Sequence, residues 1–199
     1  DTTDFVSYSG QLKRLAVKIS KICNDLRLLA SGPRAGLNEI SLPPMQPGSS
    51  IMPGKVNPVI PEVMNQVCFR VIGNDTAVMM ASEAGQLELN VFEPVMIYSI
   101  LESIAILKNG MATLRQRCID GIEANVERCK ELAYRSIGLV TALNPVLGYE
   151  TSSDIAKTAL QTNRSVYDLV LERGLLSKDA LDEILTPENM TQPKKMKKR

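Results

Sequence analysis

From Leu12 the apolar residues recur at Leu12, Leu15, Ile19, Ile22, Leu26 and Leu29, alternating spacings of three and four. Lys13, Arg14, Lys18, Lys21 and Asp25 lie off that stripe. This is the periodicity of one face of an α-helix. "SGPRAG" at 31–36 ends the helix, because Gly32 and Pro33 do not continue one. Residues 37–58 then predict a loop, and six of the chain's eleven prolines fall between Pro43 and Pro61. A second helix is expected to begin at Asn57 and Pro58, the asparagine as N-cap and the proline at the first helical position. Val59, Val63, Val67 and Val71 would line one face, with Ile60, Met64 and Cys68 beside them, until "EAGQ" at 83–86 breaks the pattern. From Leu89 to Arg115 the pattern loses its polar face. Phe92, Val95, Met96, Ile100, Leu101, Ile104, Leu107, Met111 and Leu114 predict a rod buried on every side, about 40 Å long at ~1.5 Å per residue.

After Gly121 the segments "NVERCKELAYRS", "SSDIAKTALQT", "SVYDLVLERG" and "SKDALDEIL" predict short amphipathic helices with small polar caps. The expected fold is all-α, with long helices at about 4–31, 58–82 and 87–117. A helical-bundle domain over 1–120 carries the loop at 48–58, a small helical domain covers 121–190, and a basic tail, solvated and frayed, covers 191–199. Aromatics at 4% and the absence of tryptophan favour packed helices over a β-sandwich.

Charge and chemistry narrow the picture. A net charge of +1 gives no field for nucleic acid or an acidic membrane surface. Histidine is absent, so this chain alone cannot supply a Ser-His-Asp triad, a histidine-ligated zinc or a histidine base. Cys23, Cys68, Cys118 and Cys129 show no CxxC spacing and are expected as thiols in a reducing compartment. No uninterrupted apolar run matches a bilayer and no signal peptide is evident, so the expectation is a cytoplasmic protein. A 199-residue chain can hardly surround the 89–115 rod by itself, which predicts a bundle shared with neighbouring subunits. The chain opens on "DTTDFVSYSG" with helical periodicity almost at once, as a segment cut from a longer polypeptide would.

The stretch "GSSIMPGKVNP" at 48–58 is the densest in chemistry. Glycine, serine and proline clusters usually mark a plain surface connector. Here the connector feeds a helix N-terminus, whose dipole attracts anions. Lys55 adds a cation and Asn57 an amide donor, a pairing suited to a carboxylate. Gly48 and Gly54 bracket Ser49 and Ser50 as hinges would in a lid that excludes water. Ile51, Met52 and Pro53 complete this flexible loop. Beside a lysine and a helix dipole, in a closed pocket, a serine alkoxide becomes more accessible.

"GSSIMPGKVNP" closely resembles the signature of the aspartase/fumarase superfamily. "LKRLAVKISKICNDLRLLASGPRAGLNEISLP" is similar to the stretch before that signature, "PEVMNQVCFRVIGND" to the helix after it and "LNVFEPV" to the start of the central helix. The final 80 residues resemble the small C-terminal domain. "NDTAVMMASEAGQLE" at 74–88 is closer to the superfamily's aspartases than to its fumarases.

The resemblance implies that Ser49 is the general base removing a proton from C3 of L-aspartate. Lys55 and Asn57 would stabilise the aci-carboxylate dianion, with Ser50 in contact with the substrate, before ammonia leaves to give fumarate. It implies no redox cofactor and no metal requirement, although some members respond to divalent cations as activators. It also implies a homotetramer. Two upstream regions of the family's active site, one containing a histidine, are not in this chain, which would hold about one third of a site. A fumarate hydratase of the same fold, a non-catalytic crystallin-like scaffold and a free-standing helical interaction module are the alternatives.

Overall fold

The computed structural model describes residues 1–48 and 56–191, and it is helical almost throughout. The first compact unit, Asp1–Asn125, contains three long helices: α1 (Thr3–Leu29), α2 (Val59–Glu83) and α3 (Glu93–Arg117). α2 packs along both of the others. Polar staples set how α1 lies on α2. Thr2 Oγ1 meets Ser82 Oγ at 2.8 Å, Ser9 Oγ donates to Asp75 Oδ1 at 2.8 Å, and Asn65 Nδ2 donates to Ser20 Oγ at 2.9 Å. The numbers rise along α1 as they fall along α2, so the pair is antiparallel. Lys13 Nζ adds a 2.5 Å bridge to Asp75, whose side chain is buried. On the other side Asn74 Nδ2 reaches Ser103 Oγ at 3.0 Å and Glu102 Oε2 at 2.7 Å. That donation, reinforced by Arg70, lowers the Glu102 pKa.

Between the staples the packing is apolar. Ala16, Ile19, Cys23, Met64, Cys68, Val71, Leu107, Leu114 and Cys118 form one core, and Val78, Ala81, Met96 and Ile100 form another. The buried face of α1 is therefore rotated from the expected stripe. Leu15 and Ile22 are exposed, because Ser9, Ala16, Ser20 and Cys23 give α2 a closer approach than leucine and isoleucine would. On α2 the buried ridge runs through Met64, Cys68 and Val71, and Val63 is exposed.

α3 begins at Glu93, six residues later than the expected 87. Asn90 explains the delay. Its Oδ1 accepts from Phe92 N at 2.8 Å and its Nδ2 donates to Ala81 O at 3.0 Å, so it holds the α2–α3 turn open. Nor is the rod buried on all sides within one chain: Met96, Ile100, Leu107 and Leu114 face inward, while Val95, Tyr98 and Leu101 are exposed. By length and hydropathy Glu93–Gly121 would suit a bilayer, yet Glu102 and Lys108 interrupt it and its inner face lines the helical core.

The expected loop at 37–58 holds a short strand, β1 (Ile40–Ser41), paired antiparallel with β2 (Glu123–Ala124). β2 follows a 3-10 turn at Ile119–Gly121.

The second unit starts at Val126. It comprises α4 (Val126–Arg135), α5 (Leu139–Leu147), α6 (Tyr149–Thr162), α7 (Val166–Glu172), α8 (Lys178–Ile184) and α9 (Pro187–Thr191). Serine caps start two of them: Ser165 Oγ accepts from Asp168 N, and Ser177 Oγ from Ala180 N. Leu143, Ile155, Val166, Leu169, Val170 and Leu181 make its core.

Leu143 is fully buried and Leu160 is 67% exposed. Leu143→Ala should destabilise the second unit by about 2–5 kcal/mol through lost burial and a residual cavity, and Leu160→Ala by under about 0.5 kcal/mol. Urea unfolding measures both. Equal effects would contradict this core assignment.

Candidate functional site

Of the residues that the sequence marks for chemistry, Gly48 and Asn57 are described. Ser49, Ser50, Ile51, Met52, Pro53, Gly54 and Lys55 lie outside the described residues. What the structure supplies is the frame on which they are mounted. A bridge pairs Pro47 with Val56 in antiparallel sense, and Asn57 Nδ2 donates to Gly48 O at 3.0 Å. The two ends of the segment are thus fastened together at the start of α2.

Asn57 does not cap α2. Its amide is committed to Gly48, and Pro58 takes the cap position with no side-chain hydrogen bond. The helix start also offers fewer amide donors than a bare N-terminus would. Val59 N bonds Asn57 O at 2.8 Å, and Pro58 and Pro61 have no N–H. Its contribution to anion binding is therefore chiefly the dipole. Glu62, in the first turn, stands 3.9 Å from Arg27 Nε, so an ion pair spans the helix start.

The approach to the loop is a proline-rich strut. Leu42 packs against the first core, and Pro43 lies so close over Gly121 that a Cβ there would come within 2.6 Å of Pro43 Cγ. Upstream, Asn125 closes on the same segment. Its Nδ2 donates to Asn38 O at 3.0 Å, its Oδ1 accepts from Ser41 Oγ at 3.0 Å, and its backbone N–H bonds Glu39 O at 2.9 Å. Sequence reasoning missed this clip. Asn125 precedes a helix and reads as a local cap, and nothing in the pattern links it to residues more than eighty positions earlier.

Among the described residues no three histidine, cysteine or acidic side chains are arranged to hold a metal ion. A separate groove in the second unit is lined by Ala133, Ser136, Leu139, Thr141, Pro145 and Met190. It has no charged side chain and suits a dicarboxylate poorly.

Comparison with known proteins places this frame in context. A family profile described as Lyase matches residues 1–73, and one described as Fumarase C C-terminus matches residues 139–192. An aspartate ammonia-lyase of Helicobacter pylori is 61% identical over 197 residues, which is 99% of this chain and 42% of the relative. The chain thus spans about two fifths of the length of the curated relatives it matches. A crystal structure of a Brucella melitensis fumarate lyase:delta crystallin bound to cobalt superposes with a TM-score of 0.88 at 58% identity, covering 95% of this chain and 41% of that one. A class II fumarase from Schistosoma mansoni superposes at 0.84 with 35% identity, covering 94% of this chain and 39% of that one.

Three thiols lie beneath the loop frame, in the core that Leu42 joins. Cys23, Cys68 and Cys118 are buried and Cys129 is half-buried. Burial raises all three buried thiols, and Cys23 reaches about 11, pushed further by Cys68 and Cys118. The thiolate is the reactive form, so iodoacetamide at pH 8 should alkylate Cys129 well ahead of these three in the native protein. A raised folded-state pKa stabilises below the unfolded value and loses that contribution as pH climbs through the folded one. Stability should therefore fall between the ordinary thiol value of 9.0 and about 11. Fast native alkylation of Cys23 would contradict the packing.

Proposed function

We propose that the chain belongs to the aspartase/fumarase superfamily of lyases and that its parent protein is an aspartate ammonia-lyase. The reaction is reversible elimination of ammonia from L-aspartate to give fumarate. The observation that carries the reading is the intact "GSSIMPGKVNP", mounted on a closed frame in a chain far more similar to an aspartate ammonia-lyase than to a fumarase, 61% against 35%.

In this mechanism Ser49 takes the C3 proton, and the electron pair of the C3–H bond moves into the adjacent carboxylate to give an aci-carboxylate dianion. Those electrons return to form the C2–C3 double bond as the C2–N bond breaks, and the pair from C–N leaves with ammonia. Lys55 supplies positive charge where the dianion develops. Asn57 offers its second amide hydrogen to the substrate carboxylate while the first holds Gly48, and Ser50 contacts the substrate. No step calls for a metal or a redox cofactor. The remaining side chains, a histidine among them, come from residues outside this chain.

We infer further that the working form is a homotetramer in the cytoplasm. Val95, Ile97, Tyr98, Leu101 and Met111 are exposed along one long helix, and Phe69 and Met80 along its neighbour. An apolar surface of that extent is rare on a soluble monomer and marks an interaction face.

Three outcomes test the reading on the full-length parent. It should turn over aspartate and leave malate almost untouched, whereas the reverse preference would identify a fumarate hydratase and no turnover of either would favour a scaffold. Ser49→Ala should cost kcat about 10²–10⁴-fold, the usual range for a lost general base. Lys55→Ala should raise KM as well as lower kcat, because a carboxylate-binding cation acts on ground and transition states alike. A Ser49→Ala enzyme with near-normal turnover, or a more damaging Ser50→Ala, would move the base elsewhere. Sedimentation should give a tetramer, and a monodisperse monomer at micromolar concentration would contradict the assembly.

A further inference from the structure

We propose that Asn125 is a positioning residue for the reaction, setting where the root of the signature loop sits. The inference rests on the aspartate ammonia-lyase reading. It begins at Asn38, which holds a left-handed backbone with φ of 52°. Asparagine adopts this region more readily than most residues with a side chain, and here hydrogen bonds on both sides hold it there. Asn38 N bonds Ser31 O at 2.8 Å on one side, and Asn125 Nδ2 grips Asn38 O at 3.0 Å and Asn38 Oδ1 at 3.2 Å on the other. Asn125 also accepts from Ser41 Oγ and pairs its own backbone N–H with Glu39 O. One side chain therefore fixes both ends of the short β1 segment, beside a ladder only two residues long. Two pairs of a ladder are weak alone, so the clip decides where the segment lies.

From there to the loop root the chain is stiff. Pro43, Pro44 and Pro47 restrict three of the six residues between Ser41 and Gly48. Leu42 is anchored in the core, and Pro43 is seated over Gly121 with no room for a Cβ between. At the far end the Pro47–Val56 bridge and the Asn57–Gly48 hydrogen bond join the strut to the start of α2. A displacement at residues 38–41 is carried by this strut to Gly48 and so to Asn57, whose amide it holds. Asn125 touches no substrate and acts only through that path.

The test uses the full-length enzyme. Asn125→Ala should lower kcat about 10- to 100-fold, the scale of an ångström-sized misplacement of reacting groups. KM should change little, the pKa values of the pH–rate profile should be unchanged, and the tetramer should be retained. Gly121→Ala displaces Pro43 on the same strut and should also lower kcat. The double variant should fall short of the product of the two losses, because both act through one element. Asn189→Ala, which removes a hydrogen bond to Glu183 O in the second unit, should leave kcat unchanged.

If Asn125→Ala fails to fold, Ser41→Ala removes one bond of the clip and should give a smaller loss in kcat. Normal kcat per folded Asn125→Ala tetramer, full additivity with Gly121→Ala, or unchanged kcat in Ser41→Ala would overturn the proposal. A wild-type enzyme inactive on aspartate would instead sink the functional reading beneath it.

Discussion

The position of α2 is the constraint on which the rest depends. Its first turn is the end of the loop frame, so whatever fixes its axial position also fixes where Asn57 stands. Apolar ridges alone would let α1 slide along it by a turn, since Ala16, Ile19, Cys68 and Val71 offer similar surfaces at successive levels. The polar pairs do not permit this. A slide would leave buried Asp75 and Asn65 without partners, and each orphaned group costs about 1–3 kcal/mol. Thr2–Ser82, Ser9–Asp75 and Ser20–Asn65 are therefore read best as a register code, satisfied throughout and so compatible with a dry core.

The long helices were legible in the sequence because their periodicity spans many turns and ends at Gly32-Pro33 and "EAGQ". The face each helix buries was less so. Counting large apolar residues selected Leu15 and Ile22, but burial went to Ser9, Ala16, Ser20 and Cys23. Small residues and serine let helices approach closely, and a stripe of hydrophobicity does not register that. The capping rule likewise assigned Asn57 to its own helix. Tertiary context redirected its amide to Gly48, nine residues away. The Asn125 clip and the β1–β2 pair were not legible at all, because both join segments more than eighty residues apart with no periodic signal.

The proposed chemistry of the site rests on residue types, and of Ser49, Lys55 and Asn57 the structure describes only Asn57. Ser49, Lys55 and Asn57 announce a carboxylate and a proton transfer by composition and by resemblance. The scaffold explains how the two ends of this segment are fastened. Proline removes conformational freedom before folding, the bridge and the Asn57 bond close the ends, and buried thiols fill the core below. The exposed apolar ridges on α2 and α3 belong to the same design in this account. In the proposed tetramer a shared core would bring other chains to the loop, and with them the side chains this one lacks.

A crystal structure of the full-length parent with succinate bound, a dicarboxylate that lacks the amino group and cannot react, tests the account most directly. It predicts one carboxylate within hydrogen-bonding distance of Lys55 Nζ and Asn57 Nδ2, with Ser49 Oγ facing a methylene carbon of the ligand. Asn125 should remain on Asn38 and Ser41, and side chains of neighbouring subunits should complete the pocket. Succinate bound elsewhere, for instance in the groove of the second unit, or enclosed by one subunit alone, would contradict it.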